Sequence, residues 1–267
     1  MHPAFPDMPN HPLKRIKYAL PSLVTLLSLA CGFTSILISV NSATDGVTTQ
    51  FRLAAWLLVV AGVFDALDGY VARLTGTSSS FGMHLDSVVD AVNFGMAPAI
   101  LLYCYGFFGL RGAHPDIHRL GSAACFLFAA CGALRLARFN AQIETTDPRY
   151  FVGMPITVGA ACVASAVVGW PDHAAGLELA YPLLALLALV GFLMVSNLRF
   201  PSSKLGKPRG QPATAIALLA GIVAVGALFL LRARFFALLF AAYTLAALLL
   251  NLAWHRFGWR GIEPPSR

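Results

Sequence analysis

The chain has 267 residues, of which 58% are hydrophobic and only 12% are charged. A soluble domain of this length carries about twice that charged fraction, and the apolar residues here come in long runs. Composition therefore excludes a soluble globular domain, an intrinsically disordered chain and a collagen-like repeat, and it predicts a polytopic membrane protein.

The apolar runs predict the elements of the fold. A membrane span needs roughly 20 apolar residues, and the chain offers about eight such runs. In chain order they lie near residues 20–40, 53–72, 86–107, 120–139, 155–170, 178–196, 212–231 and 235–254. The predicted fold class is therefore all-α, a polytopic membrane helical bundle of about eight transmembrane helices.

The same runs suggest how the chain is organised. We expect an N-terminal tail over 1–19, a six-helix membrane domain over 20–210, two additional spans over 211–254 and a C-terminal tail over 255–267. With an even number of spans both termini lie on one side, which then carries 14 of the 19 Lys and Arg residues. The positive-inside rule places that side in the cytoplasm, so we expect a protein of the cell (inner) membrane. Both termini, and the acids between residues 65 and 90, should then face the cytoplasm. The net charge of +7 thus indicates topology and not nucleic-acid binding.

Four of the 12 acids are concentrated within 26 residues. Asp65 and Asp68 end the second span at spacing i, i+3, and Asp86 and Asp90 begin the third at spacing i, i+4. Each pair shares one helix face, and the short polar link between the spans makes the two helices antiparallel neighbours, so the pairs should face each other across a cleft. Carboxylates so close need cations, and oxygen ligands favour Mg²⁺, Mn²⁺ or Ca²⁺, with room for two ions. A cation-coupled transporter site is the alternative interpretation of these acids.

Small and basic residues surround the acids in a fixed pattern. The sequence reads Asp65-x-x-Asp68-Gly69-x-x-Ala72-Arg73, then eight residues, then Gly82-x-x-x-Asp86-x-x-x-Asp90. This pattern resembles the signature of the CDP-alcohol phosphotransferase family at every defining position. The resemblance implies that Asp65, Asp68 and Asp86 bind divalent metal and that Asp90 is the general base on the acceptor alcohol and a further ligand. It also implies that Asp65, Gly69, Ala72, Arg73 and Gly82 shape the site for CDP and its diphosphate.

Three further segments bear on the acceptor alcohol. They are residues 131–140, 151–155 and 194–204, and together with the aspartate region they resemble the membrane-embedded phosphatidylserine synthases of bacteria and archaea over roughly residues 14–210. This resemblance implies transfer of the phosphatidyl group of CDP-diacylglycerol to L-serine, with release of CMP, by a homodimer among membrane lipids. The candidate residues for binding serine or phosphate are Arg135, Arg138, Asn140, Asn197, Arg199 and Lys204.

The interpretation leaves alternatives open. The aspartate pattern does not name the acceptor, so glycerol phosphate, inositol phosphate and choline compete with serine, and the transporter is the more distant alternative. The first span departs from the related enzymes at Ser28, where Asn is common, which puts a polar contact from that span in question. We expect direct attack by the alcohol on phosphorus, because no Ser, Cys or His lies in a setting typical of a nucleophile.

Overall fold

The computed structural model describes residues 12–76, 80–142, 150–169 and 176–201, together with the single residue Leu245. Over these ranges the chain is helical apart from one pair of short strands. In chain order the elements are α1 (Pro12–Asp45), α2 (Gln50–Thr75), α3 (80–111), α4 (Pro115–Gln142), β1 (Tyr150–Val152), α5 (Ile156–Gly169), α6 (Leu177–Val195) and β2 (Arg199–Pro201).

Five of the described helices, α1 to α4 and α6, are long and apolar enough to cross a membrane, as expected for a multi-pass membrane protein. The sixth, α5, has only 14 residues. The predicted count of about eight spans is therefore not confirmed, because the spans predicted at 212–231 and 235–254 lie outside the described residues apart from Leu245.

Two helices begin earlier than the sequence predicted. The N-terminal tail was expected to run to residue 19, but α1 already begins at Pro12. Proline suits the first helical position, where its missing N–H is not needed, and no helix breaker follows until the apolar run begins. Likewise α3 begins at Ser80 rather than at residue 86, so Asp86 lies inside the helix.

Hydroxyl groups join α1 to α2, which form the most extensive helix pair of the described bundle. The Ser28 hydroxyl donates to the carbonyl oxygen of Ala61, and the Ser35 hydroxyl donates to that of Ala54, both at 2.8 Å. Small side chains let two helix backbones approach closely within a membrane. These bonds fix α2, and with it the first pair of aspartates, against α1.

The central helix is α3. Its most apolar window is 56% buried, against 28–39% for the other four spanning helices. An α-helical start is followed by two wide π turns separated by α-helix and by a final 3₁₀ turn, in the order Ser80–Asp90, Ala91–Met96, Ala97–Leu102, Tyr103–Phe107 and Phe108–Arg111. Pro98 lies two residues after the first π turn, which accommodates a residue that cannot donate a backbone hydrogen bond.

The functional end of the bundle follows from the alternation of helix directions. Because short links join successive helices, the ends of α2, α4 and α6 lie at the same end of the bundle as the start of α3. At this end β1 and β2 pair antiparallel, with Phe151 opposite Phe200. The four predicted aspartates and the basic segments of α4 and β2 are thus brought to one end.

Candidate active site

The aspartates of α2 and α3 converge. One carboxylate oxygen from each of Asp65, Asp68 and Asp86 can be chosen so that all three lie within 4.8 Å of one another. Asp68 is buried, with 5% of its surface exposed, while Asp65 and Asp86 are half-buried. The antiparallel arrangement of the two helices, expected from the short link, produces this cluster.

Asp90 extends the cluster by one helical turn of α3. Its half-buried carboxyl group lies in hydrogen-bonding contact with that of Asp65. Two carboxyl groups in contact repel each other when both are ionised, unless a proton or a cation lies between them. All four predicted acids therefore belong to one electrostatically coupled site.

The donor atoms of this cluster fit a divalent metal ion. Asp68 Oδ2 and Asp90 Oδ1 are buried and accept no hydrogen bond from any residue in the described ranges. Buried carboxylate oxygens without a donor are costly, and hard cations such as Mg²⁺ and Mn²⁺ take such oxygens as ligands. The residues present therefore match the group that the aspartate pattern implies.

Polar side chains of α1 contact the two helices that carry the acids. The Thr25 hydroxyl donates to the carbonyl oxygen of Pro21 at 3.1 Å and interacts with the Asp68 carboxylate. The amide nitrogen of Asn93, one turn after Asp90, donates to the Ser28 hydroxyl at 2.9 Å, and this hydroxyl in turn donates to Ala61. A polar amide in the middle of an apolar span was the signal that could have identified Asn93.

This network answers the question raised by Ser28. The residue departs from the Asn that is common in related enzymes, yet it is fully buried and joins α1, α2 and α3 through its single hydroxyl. The polar contact from the first span is therefore present.

Arg135 of α4 is a buried cation that interacts electrostatically with the acidic site. Only 8% of its surface is exposed, and its guanidinium attracts the Asp90 carboxylate electrostatically. It also lies over the ring of Phe139, 5.3 Å from the ring centre. Burial strengthens these interactions because water screens them less.

The other predicted polar residues of α4 and α6 make contacts within the protein. The amide nitrogen of Asn140 donates to the Ser87 hydroxyl at 3.0 Å, next to Asp86 in the chain. Arg138 donates to the side-chain oxygen of Asn197 at 3.1 Å and to three backbone carbonyl groups. Asn140 and Asn197 are exposed.

The remaining predicted residues are described in backbone only, or are small. Ala72 and Arg73 lie in the last turn of α2 and Arg199 lies in β2, but their side chains are not described, and Lys204 lies outside the described residues. Gly82 lies in the first turn of α3. Among the described residues, no atom lies within 4 Å of a β-carbon placed at Gly69, so this part of the structure leaves space beside α2.

The described helices thus form a bundle of membrane-spanning type, with an acidic cluster at one end that could hold a metal ion. Residues 18–194 match the sequence model of the CDP-alcohol phosphatidyltransferase family. The chain belongs to this family of phosphotransferases, and the resemblance inferred from the aspartate pattern is confirmed.

The chain is also similar to curated proteins whose names include serine as a substrate or in the product. A CDP-diacylglycerol–serine O-phosphatidyltransferase of Helicobacter pylori is 38% identical over 198 residues, which cover 74% of this chain and 76% of the relative. One of the same name from Methanocaldococcus jannaschii is 36% identical over 179 residues, 67% of this chain and 71% of the relative. An archaetidylserine synthase of Methanothermobacter thermautotrophicus is 34% identical over 186 residues, 68% of this chain and 70% of the relative.

Proposed function

We propose that this chain transfers the phosphatidyl group of CDP-diacylglycerol to the hydroxyl group of L-serine, giving phosphatidylserine and CMP. The observation that carries the proposal is the convergence of Asp65, Asp68 and Asp86, with Asp90 in contact with Asp65. The names of the relatives, two of them serine phosphatidyltransferases, support serine as the acceptor.

The acids are proposed to hold divalent metal. Asp65, Asp68 and Asp86 would be ligands of Mg²⁺ or Mn²⁺, with Ca²⁺ as a further candidate, and Asp90 would complete a site for two ions. The bound metal supplies positive charge that neutralises the diphosphate and makes CMP a better leaving group. The unpartnered oxygens of Asp68 and Asp90 support this assignment.

Asp90 is proposed as the general base. It accepts the proton of the serine hydroxyl while the hydroxyl oxygen attacks the phosphorus that carries the diacylglycerol. The bond from serine oxygen to phosphorus forms as the bond from that phosphorus to CMP breaks, and the proton remains on Asp90. The position of Asp90 one helical turn after Asp86 supports this role, because it places the carboxyl group beside the proposed metal ligands. A single displacement inverts a chiral phosphorus, so retention of configuration would contradict direct attack.

The remaining site residues are proposed to bind the charged parts of the two substrates. Arg135 is the strongest candidate for a phosphate or the serine carboxylate because it is buried and interacts electrostatically with Asp90. The open space beside Gly69 supports close approach of the nucleotide to the backbone of α2. The proposed contacts with CDP and its diphosphate are Asp65, Gly69, Ala72, Arg73 and Gly82. Those with serine or phosphate are Arg135, Asn140, Asn197, Arg199 and Lys204, whereas the hydrogen bonds that Arg138 makes to the protein favour a positioning role for it.

The setting of the enzyme is proposed from charge and resemblance. We place it in the cell (inner) membrane with the site and both termini facing the cytoplasm, since that side carries 14 of the 19 Lys and Arg residues. The family domain would occupy 20–210, followed by two additional spans over 211–254, and the enzyme would be a homodimer surrounded by membrane lipids. Cross-linking in native membranes that yields only monomer would count against the dimer.

The decisive experiment measures CMP release from labelled CDP-diacylglycerol by the purified full-length protein with Mn²⁺ or Mg²⁺. Serine is compared with glycerol phosphate, inositol phosphate and choline under the same conditions. We expect product with serine. Product with another alcohol and none with serine would replace the proposed acceptor, and solute flux in liposomes without CMP release would favour a transporter.

A further inference from the structure

Arg138 binds the protein itself through four hydrogen bonds. One terminal nitrogen of its guanidinium donates to the carbonyl oxygen of Val195 at 3.2 Å and to the side-chain oxygen of Asn197 at 3.1 Å. The other donates to the carbonyl oxygens of Val152 and Ser196, both at 2.9 Å. The acceptors come from two segments that are far from Arg138 in the chain.

These hydrogen bonds occupy the N–H groups with which Arg138 would otherwise bind a carboxylate or a phosphate. The two terminal nitrogens of a guanidinium carry four hydrogens, and each of the four has an acceptor here. A bidentate grip on a carboxylate or a phosphate requires two parallel N–H groups, of which at least one must come from a terminal nitrogen. Both terminal nitrogens of Arg138 are therefore engaged with the protein before any substrate binds.

The acceptors lie where β1 and the end of α6 meet. The backbone N–H of Gly153 donates to Leu198 at 2.8 Å, and that of Met154 donates to Leu193 at 3.0 Å. Gly153 has a φ of 80°, and a β-carbon there would collide with the carbonyl oxygen of Met194, so only glycine fits. We call Arg138 with residues 152–154 and 193–198 the clasp. It accounts for two of the sequence segments that pointed to the acceptor.

The clasp lies next to the buried cation of the site. Arg138 follows Arg135 by three residues on α4, so the two share a helix face, and their guanidinium groups repel each other electrostatically. Because the side-chain oxygen of Asn197 accepts from Arg138, the amide nitrogen of Asn197 and its two hydrogens are left for another acceptor. The clasp thus sets which end of this exposed amide is presented.

We propose that Arg138 is a positioning residue that closes the clasp and thereby presents the amide nitrogen of Asn197 to the carboxylate of the acceptor. This inference rests on the proposed transfer to serine. If Arg138 is a positioning residue, replacing it should loosen the clasp even when no substrate is bound. If Arg138 only binds substrate, replacing it should leave the clasp of the substrate-free protein unchanged. The two roles are therefore separable by experiment.

The first test is hydrogen exchange of the full-length protein without substrates. In Arg138→Gln we expect peptides that contain Gly153 and Met154 to exchange at least about tenfold faster, while α1 and α2 keep their protection. The matched control is Arg119→Gln, an exposed arginine on the same helix that pairs only weakly with Asp116 at 3.9 Å. Unchanged exchange in Arg138→Gln would overturn the proposal, whether or not the protein uses serine.

The second test separates the clasp from the presented amide. Asn197→Asp keeps an oxygen for Arg138 but has no amide hydrogens, so we expect parental exchange and a serine KM raised about tenfold, with the KM for CDP-diacylglycerol changed less than about threefold. Asn197→Ala also removes one acceptor and should loosen the clasp. If Arg138→Gln fails to fold, these two variants still test the proposal. A serine KM unchanged in Asn197→Asp would overturn it.

The third test compares Arg138→Lys with Arg138→Gln. Lysine has one nitrogen with three hydrogens and cannot serve four acceptors, so we expect fast exchange and a raised serine KM in both variants. If Arg138→Lys restores the parental serine KM while hydrogen exchange stays fast, the proposal is overturned. Arg138 would then supply a positive charge that attracts serine, and not the position of Asn197.

A further outcome is that the parent protein releases no CMP with serine while Arg138→Gln still accelerates hydrogen exchange. That result would contradict serine as the acceptor, and with it the presentation of Asn197 to serine. It would still support the role of Arg138 in closing the clasp.

Discussion

The amide nitrogen of Asn140 donates a 3.0 Å hydrogen bond to the hydroxyl of Ser87, which directly follows Asp86 in the chain. This bond ties the end of α4 to the part of α3 that carries the acids. Ser87 in turn donates to the carbonyl oxygen of Met83 within its own helix. Asn140 can thus affect the acidic site without touching a substrate.

A double-mutant cycle tests which role Asn140 has. If Asn140 acts only through Ser87, then Asn140→Ala, Ser87→Ala and the double variant should lower kcat/KM for serine by the same factor, because each removes the same bond. If Asn140 also binds serine, Asn140→Ala should cost more than Ser87→Ala, and the excess should appear in the serine KM. Purely additive losses would show that the 3.0 Å bond does not couple the two residues.

Replacement of the proposed base should abolish most of the activity. Asp90→Asn keeps the size of the side chain but cannot accept the serine proton, and we expect CMP release to fall at least about 100-fold. The matched control is Asp116→Asn at an exposed acid near the start of α4, which should keep parental activity. Near-parental activity of Asp90→Asn would remove Asp90 from the role of base.

Loss of one acid should weaken metal binding. We expect Asp86→Asn to bind Mn²⁺ at least about tenfold more weakly, since even residues that merely support metal ligands commonly cost this much affinity. Electron paramagnetic resonance of free Mn²⁺ measures this without reference to activity, and Asp45→Asn, at an exposed acid at the end of α1, serves as control. EDTA should abolish CMP release and added Mn²⁺ should restore it. Equal Mn²⁺ affinity in parent and Asp86→Asn would exclude Asp86 as a ligand.

Close packing between α1 and α3 should make Gly32 intolerant of a side chain. A β-carbon at Gly32 would collide with the amide oxygen of Asn93, which is fully buried. We expect Gly32→Ala to destabilise the protein by about 1–3 kcal/mol and to lower the unfolding temperature in detergent. At Gly112 a β-carbon would meet no atom of the described part of the chain within 4 Å, so Gly112→Ala should have little effect. An equal unfolding temperature for both variants would contradict the tight packing.

Much of the fold could be predicted because apolar runs and loop residues mark membrane helices directly. The predicted spans at 53–72, 120–139 and 178–196 lie within α2, α4 and α6 to within one residue at the end of α6. The convergence of the acids followed from helical spacing and one short link, both of which are local properties. The number of membrane spans after α6 stays a prediction.

What could not be predicted depends on contacts between distant segments. The sequence assigns Arg138 to a substrate because a conspicuous arginine in a matched segment invites that interpretation, while its acceptors are mostly backbone carbonyl groups, which every residue has. The contact of Ser28 with Asn93 joins residues 65 positions apart. The π turns of α3 also left no signal except Pro98, since a widened turn depends on how the helix packs.

The two π turns reset the rotational phase of α3. Each adds one residue to a turn, so the side chains beyond it are rotated by about 100° relative to an uninterrupted α-helix. Beyond the first π turn, Leu101, Tyr105 and Phe107 are fully buried, whereas Asp86 and Asp90 before it are half-buried. One helix can in this way present acids to a cleft at one end and an apolar surface to the core at the other. A helical wheel drawn through residues 80–111 would assign the wrong faces beyond Asp90, and a one-residue deletion in the first π turn would rotate the acids away from the residues that pack the rest of α3.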